Sequence, residues 1–226
     1  MDKRTLASFL DLANHHAEAD YSDIEVVCGR VFNYGFNAAF VNPFYVYFAK
    51  EYSREVFKKK IKIGTVIAFP LGQETLEIKL VATKDAVKNG ADEIDVSTNT
   101  GLLNFGQDSQ YLEELKQIVN EVKNQKKETV VKFIIETGLI IFEGRIKAAA
   151  EMILRSGADF VKVCSGMGPR GASLKDVELV KSAVGDKIKI KVAGGIDTYQ
   201  EAMDFIKAGV DRIGTSKAIE ILEGLK

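Results

Sequence analysis

The sequence predicts an α/β protein of the (β/α)8, or TIM-barrel, type, folded as a single domain over residues 1–226. Short apolar, β-branched runs alternate with amphipathic helical stretches from end to end. Three of the strands open on the same short motif, and no Pro/Gly/Ser-rich linker breaks the series. Eight β/α units suit a chain of 226 residues, near the lower size limit of such a barrel.

Strands are expected at 36–41, 62–69, 93–96, 130–136, 160–164, 188–193 and 212–214, with a weaker one at 9–13. Several are apolar in consecutive positions, as parallel strands under a layer of helices are. The weak first strand separates a closed barrel from an open doubly wound sheet, which does not need it. Among the helices, Ser22-Asp23-Ile24-Glu25 has the spacing of a capping box, with Ile24, Val27, Cys28 and Val31 on one face and Gly35 at the stop. Leu76, Leu80 and Val87 make a second stripe, and Leu112, Leu115, Val119 and Val122 a third. Further helices are expected at 143–156, 174–184 and 199–208, each ending at a glycine, and from Ser216 onward; Pro43 opens a short extra one.

Composition excludes several classes. The net charge of −1, from 31 basic and 32 acidic residues, gives no electrostatic reason to expect nucleic acid or an anionic membrane as partner. No apolar run approaches the roughly 18 residues of a spanning helix. Cys28 and Cys164 are too few for a disulfide framework, and the opening Met1-Asp2-Lys3-Arg4 does not lead into a signal-peptide core, so a cytoplasmic location is expected.

The repeated motif is Gly90-Ala91-Asp92, Gly157-Ala158-Asp159 and Gly209-Val210-Asp211. Counted from its glycine, Asp95, Lys162 and Gly214 occupy equivalent places, so they share the barrel interior near the C-terminal rim, where active sites of this fold sit. Ile94, Val161 and Ile213 then face the helices. The alternation of Lys187-Ile188-Lys189-Ile190-Lys191 turns Lys191 into the barrel mouth, and turns Lys189 inward one layer deeper, where it needs an acidic partner or a bulge. Lys132 is a further candidate inward lysine.

Asp95 and Lys162 could form no more than a structural ion pair. Several strand lysines converging on an aspartate point instead to an amine nucleophile. Free lysine is protonated at neutral pH; burial and a neighbouring cation both favour the neutral amine that attacks a carbonyl. Lys162 is therefore the candidate Schiff-base lysine, Lys191 the neighbouring cation, and Asp95 a proton carrier.

A phosphate site is expected at the last two strand ends, where Ala193-Gly194-Gly195 and Gly214-Thr215-Ser216 present backbone N–H groups ahead of a helix, with Gly166 after Ser165 closing the site. His15 and His16 are adjacent and read as surface residues rather than metal ligands; Cys164 reads as packing. Gly166, Gly168 and Gly171 spell G-x-G-x-x-G, but Pro169, Arg170 and the delayed helix start speak against a dinucleotide site.

Ala91-Asp92-Glu93-Ile94-Asp95-Val96, Phe133-Ile134-Ile135-Glu136-Thr137-Gly138, Ala158-Asp159-Phe160-Val161-Lys162, Lys191-Val192-Ala193-Gly194-Gly195-Ile196 and Arg212-Ile213-Gly214-Thr215-Ser216 follow one another in order. Through them the chain resembles the deoxyribose-phosphate aldolase family, class I aldolases with a (β/α)8 barrel, over nearly its whole length. The resemblance implies Lys162 as the Schiff-base residue, Asp95 and Lys191 as the proton-relay pair, and the glycine loops with Ser216 as the phosphate grip. It implies reversible cleavage of 2-deoxy-D-ribose 5-phosphate to D-glyceraldehyde 3-phosphate and acetaldehyde, no metal or organic cofactor, and a homodimer or homotetramer. Val163 and Cys164 stand where the family has threonine then serine, Leu12 and Ala13 where it has histidine then threonine, and Lys189 where a small residue is usual. Another Schiff-base aldolase, acting on a different phosphorylated sugar, and an inactive phospholigand-binding barrel are the alternatives.

Overall fold

Eight parallel strands close into a barrel in sequence order in the computed structural model, which describes residues 1–225. They are β1 (Leu10–Asn14), β2 (Ala38–Val41), β3 (Lys62–Ile67), β4 (Glu93–Ser97), β5 (Val130–Ile135), β6 (Phe160–Val163), β7 (Lys189–Ala193) and β8 (Arg212–Thr215). Closure rests on β1, whose Leu10, Asp11 and Leu12 pair with Ile213, Gly214 and Thr215 of β8. That pairing rules out the open sheet. The strand is faint in the sequence because Asp11 interrupts its apolar run, and Asp11 is buried inside the barrel.

The connecting helices are α2 (Tyr21–Tyr34), α3 (Val46–Phe57), α4 (Leu76–Lys88), α6 (Asp108–Gln125), α7 (Glu143–Ser156), α8 (Leu174–Val184), α9 (Tyr199–Lys207) and α10 (Ala218–Glu223), with α1 (Lys3–Ser8) ahead of the barrel and α5 (Thr100–Asn104) inserted after β4. The capping box of α2 lies two residues earlier than the sequence spacing suggests: Asp20 accepts from the backbone N–H of Ser22 and Asp23, and Asp23 Oδ2 accepts from Asp20 N–H. The helix stops at Gly35 in the left-handed conformation, as expected. Pro43 opens a 3-10 turn that runs on into α3, a full connecting helix of 12 residues rather than a short extra one.

The Gly-x-Asp motif has a mechanical reason. Gly90, Gly157 and Gly209 take φ of 101°, 84° and 87°, a turn that a side chain would strain. The chain then swings back so that each aspartate meets the preceding strand. Asp92 accepts from Ile63 N–H at 3.0 Å, Asp159 from Val131 N–H at 2.8 Å and Asp211 from Ile190 N–H at 2.9 Å. Each aspartate thereby fixes the register of its strand pair, which fixes which side chains point inward.

Ile94, Val161 and Ile213 lie in the continuous core between barrel and helices, as do Leu12 and Val163. Each such fully buried aliphatic contributes roughly 1.5–3 kcal/mol. The threonine-to-valine departure at Val163 therefore falls on the helix side of the wall and removes no hydroxyl from the interior. Among the described residues, no helix is long and apolar enough to cross a membrane.

Candidate active site

The barrel interior is a charged network rather than stacked aliphatic layers. Asp95 and Lys162 face inward from β4 and β6, and Lys191 from β7 is the register partner of Lys162. Asp95 Oδ2 lies 2.9 Å from Lys162 Nζ and 2.9 Å from Lys191 Nζ. Its other oxygen, Oδ1, accepts from Lys132 Nζ at 2.9 Å, and Lys132 also donates to Glu93 Oε2 at 2.6 Å. Lys191 pairs in addition with Asp11 Oδ2 at 2.7 Å. All six side chains are buried.

The structure therefore unites the three expected catalytic residues. It places Lys132 inward as expected and adds Asp11, Glu93 and Phe40. The Phe40 ring centroid lies 3.6 Å from Lys191 Nζ and 4.8 Å from Lys132 Nζ, a cation–π shelf under two ammonium groups. Gly64 makes room for that ring: a Cβ there would lie 2.3 Å from it. The same phase rule that finds Asp95 finds Glu93, two residues earlier on its strand, and Asp11 follows once β1 is accepted. Phe40 carries no signal that separates it from a core aromatic.

Lys189 differs from its expectation. It needs neither an acidic partner nor a bulge, because it is exposed at the N-terminal rim, with Nζ 5.7 Å from the Phe160 ring. Lys189 is the first residue of β7, and its register partner Phe160 stays buried.

Electrostatics separate the lysines. Burial, with help from Lys191 and Lys132, outweighs Asp95 and pulls Lys162 down to about 8. Lys132 is pushed the other way: burial opposes its charge, but Asp95, Glu93 and Asp11 outweigh it. Burial would raise Asp95, yet Lys132, Lys162 and Lys191 hold its carboxyl well below the ordinary carboxylate range. One amine is thus poised to lose its proton beside a carboxylate that stays ionised.

Lys162 and Lys191 open onto a cavity of about 250 Å³ whose upper wall carries Gly166, Gly194, Gly195, Gly214, Thr215 and Ser216. Gly166, Gly194 and Gly195 have φ of 88°, 85° and 71°. A Cβ on Gly194 would lie 2.9 Å from Gly166 Cα and 3.0 Å from Gly171 Cα, so three glycines let two loops touch. Gly214 serves a second purpose, since a Cβ there would lie 3.1 Å from Lys191 Cε. The Thr215 hydroxyl donates to Ile196 O at 3.0 Å and accepts from Lys217 N–H at 2.9 Å, bracing the loop. Ser216 is exposed on the rim. The helix that follows, α10, has six residues.

His15 departs from the surface position read from sequence. It is half-buried and lines the cavity, while His16 is exposed beside it. Cys164 is buried, with Sγ 3.0 Å from Thr137 Oγ1, and burial pushes its thiol up to about 11. Gly166, Gly168 and Gly171 form a loop rather than a dinucleotide turn: Gly168 packs on the Glu136 carboxyl, and Glu136 accepts from Ser165 N–H at 3.0 Å. Among the described residues, no group of three or more His, Cys, Asp or Glu side chains is arranged to hold a metal ion.

Known proteins share this sequence pattern and this fold. Curated deoxyribose-phosphate aldolases are similar over almost the full length: one from Caldicellulosiruptor saccharolyticus is 39% identical over 98% of this chain and 99% of its own. One from Thermococcus kodakarensis is 41% identical over 99% of this chain and 98% of its own. Among solved structures, an aldolase called QR15 superposes with a TM-score of 0.87 at 35% identity, covering 96% of this chain and 94% of its own. A deoxyribose phosphate aldolase from Aeropyrum pernix, described as tetrameric, superposes with a TM-score of 0.89 at 30% identity, covering 98% of this chain and 91% of its own. The family profile described as DeoC/LacD family aldolase matches residues 1–217, and the chain belongs to that family.

Proposed function

We propose that this protein reversibly cleaves 2-deoxy-D-ribose 5-phosphate to D-glyceraldehyde 3-phosphate and acetaldehyde through a Schiff base on Lys162. The observation that carries this reading is one buried lysine, drawn down to about 8, on the floor of a cavity whose rim is made of glycine loops. Similarity over almost the full length to curated deoxyribose-phosphate aldolases, and to solved aldolase structures, supports it.

The neutral Lys162 amine adds to C1 of the open-chain sugar, and loss of water leaves an iminium. That cation withdraws the electron pair of the C2–C3 bond as the C3 hydroxyl gives up its proton. D-Glyceraldehyde 3-phosphate departs; the enamine left on Lys162 takes a proton at C2, and water releases acetaldehyde. Asp95 stabilises the iminium and, with Lys191, relays these protons through water. A carboxylate held so firmly ionised is a weak base, so its main part is to carry charge and aim the two lysines. Gly166, Gly194, Gly195, Gly214 and Ser216 hold the phosphate, with Thr215 bracing the loop.

Two smaller readings accompany this one. We assign the protein to the cytoplasm, from its two free, buried cysteines. A homo-oligomer, dimer or tetramer, is supported by the similar Aeropyrum pernix aldolase, which is described as tetrameric.

Borohydride reduction in the presence of 2-deoxyribose 5-phosphate, followed by peptide mass mapping, tests the assignment. The label is expected on Lys162. A label elsewhere, or no adduct at all, overturns it.

A further inference from the structure

One polar side chain in the cavity has no part in the Schiff base or the phosphate grip. His15, one residue beyond β1, lines the cavity along with Lys162 and Gly194. Its ring leans on Phe69, centroids 5.3 Å apart, and Phe69 in turn lies 5.7 Å below Lys162 Nζ. Nδ1 has no exposed surface and no hydrogen-bond partner, with Asn42 as the neighbouring polar side chain. With Nδ1 walled in, Nε2 is the one ring nitrogen that a ligand in the cavity can reach.

Burial, and then the cations of Lys162 and Lys191, pull this imidazole down to about 3. The ring is uncharged wherever an amine nucleophile works, and a neutral imidazole carries one donor and one acceptor. Nε2 makes no hydrogen bond within the protein, and the accessible, unpartnered nitrogen of a side chain in a cavity wall is a candidate ligand contact.

The substrate must span from Lys162 on the floor to the glycine loops on the rim. Those two ends fix its aldehyde and its phosphate. The C3 hydroxyl belongs to the reacting end, which leaves the C4 hydroxyl in the middle of the cavity. Resting on the aldolase reading above, we propose that His15 Nε2 hydrogen-bonds the C4 hydroxyl, which becomes the C2 hydroxyl of the released D-glyceraldehyde 3-phosphate. His15 is then a specificity-determining residue that selects hydroxylated acceptor aldehydes.

Carbon–carbon bond formation with acetaldehyde as donor tests this, using D-glyceraldehyde 3-phosphate and, lacking the hydroxyl, 3-oxopropyl phosphate as acceptors. The readout is the ratio of kcat/KM for the two. His15→Leu is expected to lower the ratio about tenfold, the worth of one hydrogen bond in such a site. His15→Gln, which keeps a donor and an acceptor, is expected to hold it near wild type. A fall of at least fivefold in His15→Leu, with His15→Gln within threefold of wild type, supports the proposal; any other pattern overturns it. His15→Ala gives the same readout should His15→Leu not fold. Borohydride trapping of the wild type with acetaldehyde keeps the parent reading separate. No adduct on Lys162 sinks the aldolase assignment, whereas a trapped wild type with an unchanged ratio in His15→Leu sinks only the role of His15.

Discussion

Lys162 and Lys191, register partners on adjacent strands, both approach the same oxygen of Asp95, each at 2.9 Å. Their sharing of one oxygen is part of a wider imbalance. Inside the barrel the carboxylates of Asp11, Glu93 and Asp95 face the cations Lys132, Lys162, Lys191 and Arg212. One positive charge is in excess, and Lys162, which has Asp95 alone as its acidic partner, is the cheapest place to shed it.

The pH dependence of turnover follows. Attack needs the neutral amine, and burial sets Lys162 at about 8. For the free enzyme, kcat/KM is expected to fall about tenfold per pH unit below that value and to level off above it. Lys191→Met removes a cation that disfavours charge on Lys162, so the acidic limb should move to higher pH. A pH–rate profile of both proteins checks this; a limb that stays in place or moves down counts against the shared-oxygen geometry.

Lys162→Met is expected to abolish turnover while stabilising the fold. The folded-state value of about 8 lies below the ordinary 10.5. Between these limits the unfolded chain binds a proton that the folded chain does not, so wild-type stability from this group rises with pH from 8 to 10.5. Below pH 8 the buried charge costs on the order of 3 kcal/mol. Methionine removes that cost, and Asp95 keeps Lys132 and Lys191 as partners. Urea unfolding should show a higher midpoint for the variant at pH 7 and a gap that narrows as pH approaches 10.5.

The parts of this network that the sequence reveals are those set by strand phase. Gly-x-Asp marks where a strand begins, and period two then places Asp95, Lys162 and Lys191 on one side. The same count misplaces Lys189 because alternation tells the side and not the depth, and Lys189, first in β7, sits exposed at the N-terminal rim. His15 escapes because it lies beyond the strand, where alternation no longer governs direction and loop geometry decides. The capping box of α2 is read two residues late because Asp20 serves as cap as well as Ser22 would. The role of Phe40 depends on space left by Gly64 on the next strand, a relationship between two chain segments that neither one displays alone.

Lys132 holds Asp95 from behind, and Glu93 holds Lys132. Lys132→Met leaves two buried carboxylates short of a cation, and breaking such a pair costs roughly 3–5 kcal/mol. Adding Glu93→Gln should recover part of that loss, a coupling that a double-mutant cycle reads directly. The acid limb has the same origin. Against burial, Lys132 draws Glu93 down to about 2 from an ordinary 4.5. This group's stabilisation is therefore present above pH 4.5 and lost as pH falls from 4.5 to 2. Glu93→Gln should flatten that part of the stability curve; an unchanged acid limb would contradict the assignment.

The end of the cavity that we propose holds the phosphate depends on three glycines that permit two loops to touch. Gly194→Ala places a methyl 2.9 Å from Gly166 Cα and 3.0 Å from Gly171 Cα, at a φ of 85° that alanine disfavours. Gly171→Ala is worse, 2.2 Å from Gly194 O. Either change should spread the loops and disturb the rim that we propose holds the phosphate. The floor of the cavity, with Lys162 and Asp95, lies apart from them. KM for the phosphorylated sugar should therefore rise tenfold or more, and inhibition by inorganic phosphate should weaken in parallel. Borohydride trapping of acetaldehyde, which carries no phosphate, should persist. Loss of trapping together with phosphate inhibition would mean that the glycine loops support the whole barrel mouth rather than the anion alone.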